Sequence, residues 1–207
     1  MHLQLLHLQV LSLTKIKKTS DRGRPATETQ GAASMAPDGF KAEFRKAMRR
    51  LTGTVTVITT AHEGRRYGMT ATAVTSVSAD PPSLLICINR AASLHEPLIR
   101  AGRYCVNILQ AGQTDVAQAF SGGVPQDLRF CQGDWREDTT GLPFLRDAQA
   151  NIFCDADAMA SYGTHSIIIG KVSDVLVAGR VTPLLYQDGQ YTVGLGEGVD
   201  WVVPLAG

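Results

Sequence analysis

The stretch YGMTATAVTSVSADPP, residues 67–82, decides how this chain folds. It carries no charge between Tyr67 and Asp80. Hydroxyls at Thr70, Thr72, Thr75, Ser76 and Ser78 interleave with Met69, Ala71, Ala73, Val74 and Val77. That alternation reads as an extended strand, with one face buried and the other free. Two readings stay open on these residues alone. One is a plain Thr/Ser-rich strand. The other is the wall of a ligand groove, because small hydroxylated residues let a flat or anionic ligand approach the backbone.

On the N-terminal side, TVTVITT (54–60) is β-branched and alternates, so it predicts a strand. The polar link HEGRR (62–66) makes it one arm of a hairpin with the opening stretch. Before it, Phe40, Phe44, Ala47, Met48 and Leu51 recur at helical spacing, with Lys41, Arg45, Arg49 and Arg50 on the other side. Asp38 is the expected N-cap and Gly53 the stop.

On the C-terminal side, Pro81-Pro82 ends the strand. SLLICIN (83–89) and YCVNIL (104–109) read as buried strands. Between them lies a short helix over 93–101 that places Leu94, Leu98 and Ile99 on one face. A second short helix covers 114–120 with Thr114 as N-cap, and 121–144 reads as a long loop of the functional or mobile kind. Three strand candidates follow at 148–155, 166–177 and 184–193, the last containing the turn signal Asp188-Gly189. No βαβ series is visible, so the pattern suits an antiparallel barrel with appended helices.

The 207 residues are 44% hydrophobic and 19% charged, with a formal net charge of +1. That is a globular composition without the basic excess of a nucleic-acid binder. No apolar run is long enough to span a bilayer, so no membrane partner is expected. Cys87, Cys105 and Cys154 sit in apolar strand-like runs, and Cys131 forms no C-x-x-C pair. They read as reduced thiols of a cytoplasmic protein. His2, His7, His62, His95 and His165 are isolated, which disfavours a metal site. His95 reads as a surface helix residue. His165 follows Gly163-Thr164 and precedes Ile167-Ile168-Ile169, so it is either a structural turn histidine or one aimed into a neighbouring groove. No glycine-rich dinucleotide or phosphate-loop fingerprint and no nucleophile elbow is present.

Residues 1–37 differ from the rest. Their leucines precede their lysines, the wrong order for a secretory signal, and 21–36 is polar and aperiodic. The expected organisation is a disordered extension over 1–37, one domain over 38–194 and a tail over 195–207.

In order and spacing, several pieces resemble the short-chain NAD(P)H:flavin oxidoreductase family, the reductase components of two-component flavin monooxygenases. They are FRKAMRRLTGTVTVITT, GMTATAVTSVSADPP, RYCVNIL with Gln113 and Phe120, Arg129-Phe130, Gly141-Leu142-Pro143, Gly163-Thr164-His165 with Gly170, and Pro183-Leu184-Leu185-Tyr186 ending in Tyr191. The run from Ile88 to Ser93 and the Gly-Thr-His triplet are similar to reductases of pyrimidine-ring opening. Those serving aromatic hydroxylases, such as the 4-hydroxyphenylacetate hydroxylase reductase, are similar as well.

The resemblance implies a mainly β, split antiparallel barrel that binds FMN or FAD without a Rossmann domain and forms a homodimer. It implies hydride transfer from NADH or NADPH to the flavin, with reduced flavin passed to a separate monooxygenase. It assigns flavin contacts to Thr70, Ala71, Thr72, Ala73, Val74, Ser76 and Val77, to Ala91, Ser93, Leu94 and Leu98, and to Arg129. It assigns the pyridine-nucleotide side to His165 and to the turn Gln187, Asp188, Gly189 and Gln190. Many members carry lysine where this chain has Arg90 and Ser93, and Thr164 stands where an acid is usual. The alternatives are a non-catalytic flavin- or haem-binding split barrel, or a same-fold oxidoreductase with tightly held flavin acting on an organic substrate.

Overall fold

A computed structural model of the chain describes residues 37–193. The expectations for 1–36 and for the tail beyond 193 lie outside the described residues. In chain order the elements begin with α1 (Pro37–Met48), β1 (Gly53–Thr54), β2 (Thr56–His62), β3 (Arg65–Ala71), β4 (Val74–Ala79) and β5 (Pro82–Asn89). Then come α2 (His95–Ala101), β6 (Arg103–Ile108), α3 (Thr114–Phe120), α4 (Gln126–Arg129), β7 (Trp135–Glu137) and β8 (Pro143–Leu145). The chain continues through β9 (Ala150–Tyr162), β10 (His165–Val177), β11 (Leu184–Gln187) and β12 (Gln190–Val193).

Seven strands form one antiparallel sheet in the order β3-β2-β6-β9-β10-β5-β4. The opening stretch is therefore two strands, and they occupy opposite edges of that sheet. Only Thr72 and Ala73 separate them. Edges joined by two residues must lie side by side, so the sheet curls into a barrel with a seam. Within the linker Val74 N donates to Thr72 O (3.0 Å), and Cys87 N donates to Ala73 O (3.1 Å). The two edge strands are not hydrogen-bonded to each other as neighbours in the sheet, so the barrel is split at this point.

Period-2 alternation sorts the apolar residues into two cores. On β2, Ile58 faces the barrel interior with Ile86, Ile88, Tyr104, Val106 and Ile168. Val57 faces outward into a second layer with Val116, Phe120, Phe130 and Leu145. That two-sided burial explains why the TVTVITT run is β-branched throughout. The helix α2 covers the barrel by inserting Leu98, fully buried, beside the equally buried Leu94.

Three further differences from the sequence reading have physical causes. Residues 121–144 are no featureless loop, because Phe120, Phe130 and Trp135 pack at centroid distances of 5.0–5.2 Å and anchor α4 and β7. The N-cap of α3 is Gln113, not Thr114, and it makes no side-chain cap bond. Its amide instead accepts from Gln110 N (3.0 Å) and donates to Asp147 O (3.0 Å). Strand β9 runs on to Tyr162, beyond the expected end at 155, and pairs with β10 through His165↔Tyr162.

The helix α1 forms in the expected region, but it starts at Pro37, whose fixed φ suits a first helical position, so Asp38 lies inside it and is not its N-cap. It ends at Met48, and Gly53 opens β1 instead of stopping the helix. Its apolar side does not face a core among the described residues. Phe40, Phe44, Met48 and Leu51 are all exposed, Phe40 by 66%. No described helix is long and apolar enough to cross a membrane.

Candidate functional site

Strand β3 ends in a groove of about 420 Å³ lined by Thr70, Ala71, Thr72, Gln118, Tyr186, Gly189 and Tyr191, among others. The segments around 70–72 and 189 are far apart in sequence, and this groove brings them together. The size lies within the usual range for a small-molecule site.

The polar groups at its wall are partly engaged already. Thr70 Oγ1 donates to Ala117 O (2.6 Å), which ties β3 to α3 and leaves that oxygen as an acceptor only. Thr56 Oγ1 donates to Ala71 O (2.7 Å). Thr72 and Ala73 are exposed and lie outside both ladders. They are the part of the stretch free to meet a ligand. On the opposite wall, Asp188 and Gly189 hold positive φ angles of 49° and 84°. This is the backbone that a tight two-residue hairpin demands and that an Asp-Gly pair supplies. The Tyr186 and Tyr191 rings meet edge-on at 5.3 Å. Burial, and then the neighbouring Tyr186, hold the Tyr191 phenol above its ordinary range, so it keeps its proton.

A second cluster forms at the middle of β3. Arg129 Nη1 donates to Gly68 O (3.1 Å) and to Ser93 Oγ (3.4 Å), and its Nε donates to Val124 O (3.0 Å). Ala91 is exposed, but its N–H is taken by Asn89 Oδ1 (2.9 Å). Arg90 Nη2 donates to Gly163 O (2.6 Å) and its N–H to Thr164 O (3.0 Å). The residue standing in the lysine position therefore clamps the turn before His165. His95 also differs from its sequence reading. It is half-buried, with Nε2 2.9 Å from Ser166 Oγ, and fastens α2 to the first turn of β10.

His165 itself is exposed, with Nδ1 2.9 Å from Thr164 Oγ1. A neutral hydroxyl fixes the ring plane without adding negative charge beside it. His165 pairs with Asn89, whereas Val74 pairs with Ile86 and so with Ile168. Three rows along and two strands across, the His165 backbone is roughly 14 Å from that of Val74. His165 belongs with Arg90, Ala91 and Ser93, not with the groove at Thr72.

Leu94 and Leu98 are fully buried in the barrel core and offer no surface to a ligand. Val77 sits at the register shift between Ser76 and Ser78, on the β4 edge. Gln118, Tyr186 and Tyr191 are groove residues that the sequence reading did not assign. For Tyr186 and Tyr191 the signal was present, since they are the i and i+5 arms of an Asp-Gly hairpin and face each other across it.

The small, uncharged Ala71-Thr72-Ala73 surface fits a planar ring, and protonated Tyr191 with the backbone of 72–73 supplies neutral hydrogen-bonding groups. The four cysteines are all free, and burial pushes the Cys154 thiol up to about 12 and the Cys105 thiol well above its ordinary value. Thiols so buried are inert as nucleophiles. Among the described residues no three His, Cys, Asp or Glu side chains are grouped to hold a metal.

Residues 48–194 match the family model described as "Flavin reductase like domain". The reductase component of the FADH(2)-dependent resorcinol hydroxylase of Rhizobium sp. is 43% identical over 171 residues, covering 82% of this chain and 96% of the relative. The NADH-dependent FMN reductase RutF of Methylorubrum populi is 45% identical over 148 residues, covering 72% and 73%. Among solved structures, the Streptomyces globisporus NADH:FAD oxidoreductase SgcE6, in complex with NAD and FAD fragments, superposes with a TM-score of 0.72. It is 27% identical and covers 81% of this chain and all of that one. A split barrel with its seam at Thr72-Ala73, and a matching model over most of the described residues, make this chain a member of the flavin reductase-like family.

Proposed function

We propose that this chain takes hydride from NADH onto FMN or FAD and releases reduced flavin to a separate monooxygenase. The observation that carries the proposal is the single groove shared by Thr70–Thr72 residues and the Gly189 turn, the two segments assigned to different cofactors. Bound flavin would supply the electron chemistry, accepting the hydride of the nicotinamide. The chain's own part is placement. Thr72 and Ala73 present backbone and small side chains to a ring, and Tyr191 keeps a neutral phenol at the groove wall. Arg129 and Ser93 hold the loop after β5 against β3. His165, its ring fixed by Thr164 and its turn clamped by Arg90, positions the pyridine nucleotide.

The test is steady-state oxidation of NADH by the purified protein with and without added FMN or FAD. Turnover should depend on added flavin. Undiminished turnover without it, or flavin binding with no oxidation, would overturn the proposal. His165→Ala should raise the apparent KM for NADH about tenfold, equivalent to about 1.4 kcal/mol of binding. Flavin affinity should change little, and an equal loss of flavin affinity would remove His165 from the nucleotide side.

A homodimer is part of the same reading. The exposed apolar side of α1, with Phe40, Phe44 and Met48 in one row and uncovered among the described residues, supports a second copy as its cover. Sedimentation equilibrium should give twice the chain mass at micromolar concentration, and a monomer mass would count against it. The four unpaired cysteines support a reducing compartment, the cytoplasm.

A further inference from the structure

A second hollow of about 400 Å³ shares Tyr191 as a lining residue with the groove at Thr72. Its remaining walls include Arg49 and Arg50, just beyond α1, with Gln187, Asp188 and Gln190 from the β11–β12 turn. The two walls are fastened together. Asp188 N donates to Arg49 O (3.0 Å), and Gln187 Nε2 reaches Arg50 O at 3.5 Å. Those bonds use the arginine carbonyls and leave the guanidinium groups out. Among the described residues, Arg49 and Arg50 have no carboxylate within ion-pair distance. One acid, Asp188, lines the hollow against two arginines, so the formal charge of its lining is 2 − 1 = +1.

Two arginines lining a polar hollow match phosphate, which guanidinium forks bind bidentately where lysine acts only as a point charge. The amides of Gln187 and Gln190 suit ribose hydroxyls or a base edge, and the Tyr191 ring offers a face for stacking. The hollow adjoins a groove that the proposed function gives to a cofactor ring. From the wall the two share at Tyr191 we infer that Arg49 and Arg50 form the subsite for the phosphates of an adenylyl moiety, so that the two hollows together hold a dinucleotide lengthwise. The inference rests on the proposed function for the ring end. The shared ligand chemistry is an ADP group, supplied either by FAD or by the pyridine nucleotide.

The experiment uses the full chain and ADP-ribose, which carries the ADP group without a redox centre. Titration calorimetry should show ADP-ribose binding that weakens with salt. Arg49→Gln/Arg50→Gln should lose at least about tenfold in ADP-ribose affinity. Arg45→Gln, which removes one positive charge one helical turn away, should leave it unchanged. If the double variant loses FAD affinity while FMN is unaffected, the subsite serves the flavin. If its KM for NADH rises while both flavins bind normally, it serves the pyridine nucleotide. Undetectable ADP-ribose binding to the unaltered chain, an unchanged double variant, or an equal loss in Arg45→Gln would each overturn the inference. A chain that binds ADP-ribose through these arginines but oxidises no NADH would leave the subsite standing and defeat the proposed function instead.

Discussion

Asn107→Ala is expected to destabilise the protein by about 3–5 kcal/mol, since each buried polar group left without a partner costs about 1–3 kcal/mol. Asn107 is fully buried on β6 and its side chain joins four segments. Its Nδ2 donates to Val57 O (2.7 Å) and to Thr59 Oγ1 (3.1 Å). Its Oδ1 accepts from Leu145 N (2.8 Å) and Asn151 Nδ2 (2.9 Å). Alanine would strand the Leu145 N–H in a region water does not reach, take one of its bonds from the Val57 carbonyl, and open a cavity. Thr59 and Asn151 suffer less, because they keep bonds to Pro143 O and Leu145 O. The effect should extend to the candidate site, since Val57 pairs with Asn107 on one side and Thr70 on the other. Urea denaturation of the variant checks this. A loss below about 1 kcal/mol would show that the four segments are held together by other means.

The second large effect is expected at Gly170. A Cβ there would collide with the Tyr104 hydroxyl oxygen, lie 2.7 Å from Tyr104 Cζ and sit 2.9 Å from Cys154 Cβ. The phenol has no room to withdraw, because Tyr104 is fully buried among Ile58, Leu84 and Ile168. Its oxygen lies beside Cys154 in space that only a glycine opposite leaves open. Overpacking of this kind costs about 1–3 kcal/mol, occasionally more. For a domain of this size Gly170→Ala should lower the Tm by roughly 5–10 °C. Gly170→Ala combined with Tyr104→Phe should recover part of that loss by removing the colliding oxygen. A melting point within about 2 °C of the unaltered protein would mean that β10 shifts freely at this position, where its register with β9 already changes.

How much of this was legible beforehand depended on whether each feature has a local cause. The hairpin of β2 and β3, the buried run of β5 and the Asp-Gly turn announce themselves through alternation and turn residues. The break at Thr72-Ala73 does not. Hydroxyls and small residues alternate straight through it without glycine or proline, and the change of direction is imposed by the partners waiting at either edge. Strand β9 was cut short because its second half, ADAMASY, lacks the apolar alternation of a core strand, while β10 alone holds it in the ladder. The row of Phe40, Phe44 and Met48 predicted a helix correctly. Periodicity identifies an apolar side but not whether the same chain covers it.

The site was legible in pieces. The assignment of 70–72 and of the Gly189 turn came from the resemblance, and the structure adds that they share one wall-to-wall groove. The role of Arg90 was not readable, because lysine or arginine in that position looks like a phosphate ligand until Gly163 O is found in front of it. Leu94 and Leu98 were given to the ligand, yet their helix turns them into the barrel. Arg49 and Arg50 looked like the solvated side of an amphipathic helix, and only the approach of the Asp188 turn makes them a wall.

The two-residue passage from β3 to β4 bears on how the chain reaches this fold. Joining the outermost strands of a seven-stranded sheet ordinarily means closing a loop that contains every strand between them, with an entropic cost that grows with its length. Here the outermost strands are neighbours in sequence, so their meeting requires almost no search. The slow encounters are in the middle of the sheet, where β6 must find β9 and β5 must find β10 across long intervening chain. The slit at Thr72-Ala73 is therefore kept narrow by covalent connection, in the unfolded chain as much as in the folded one.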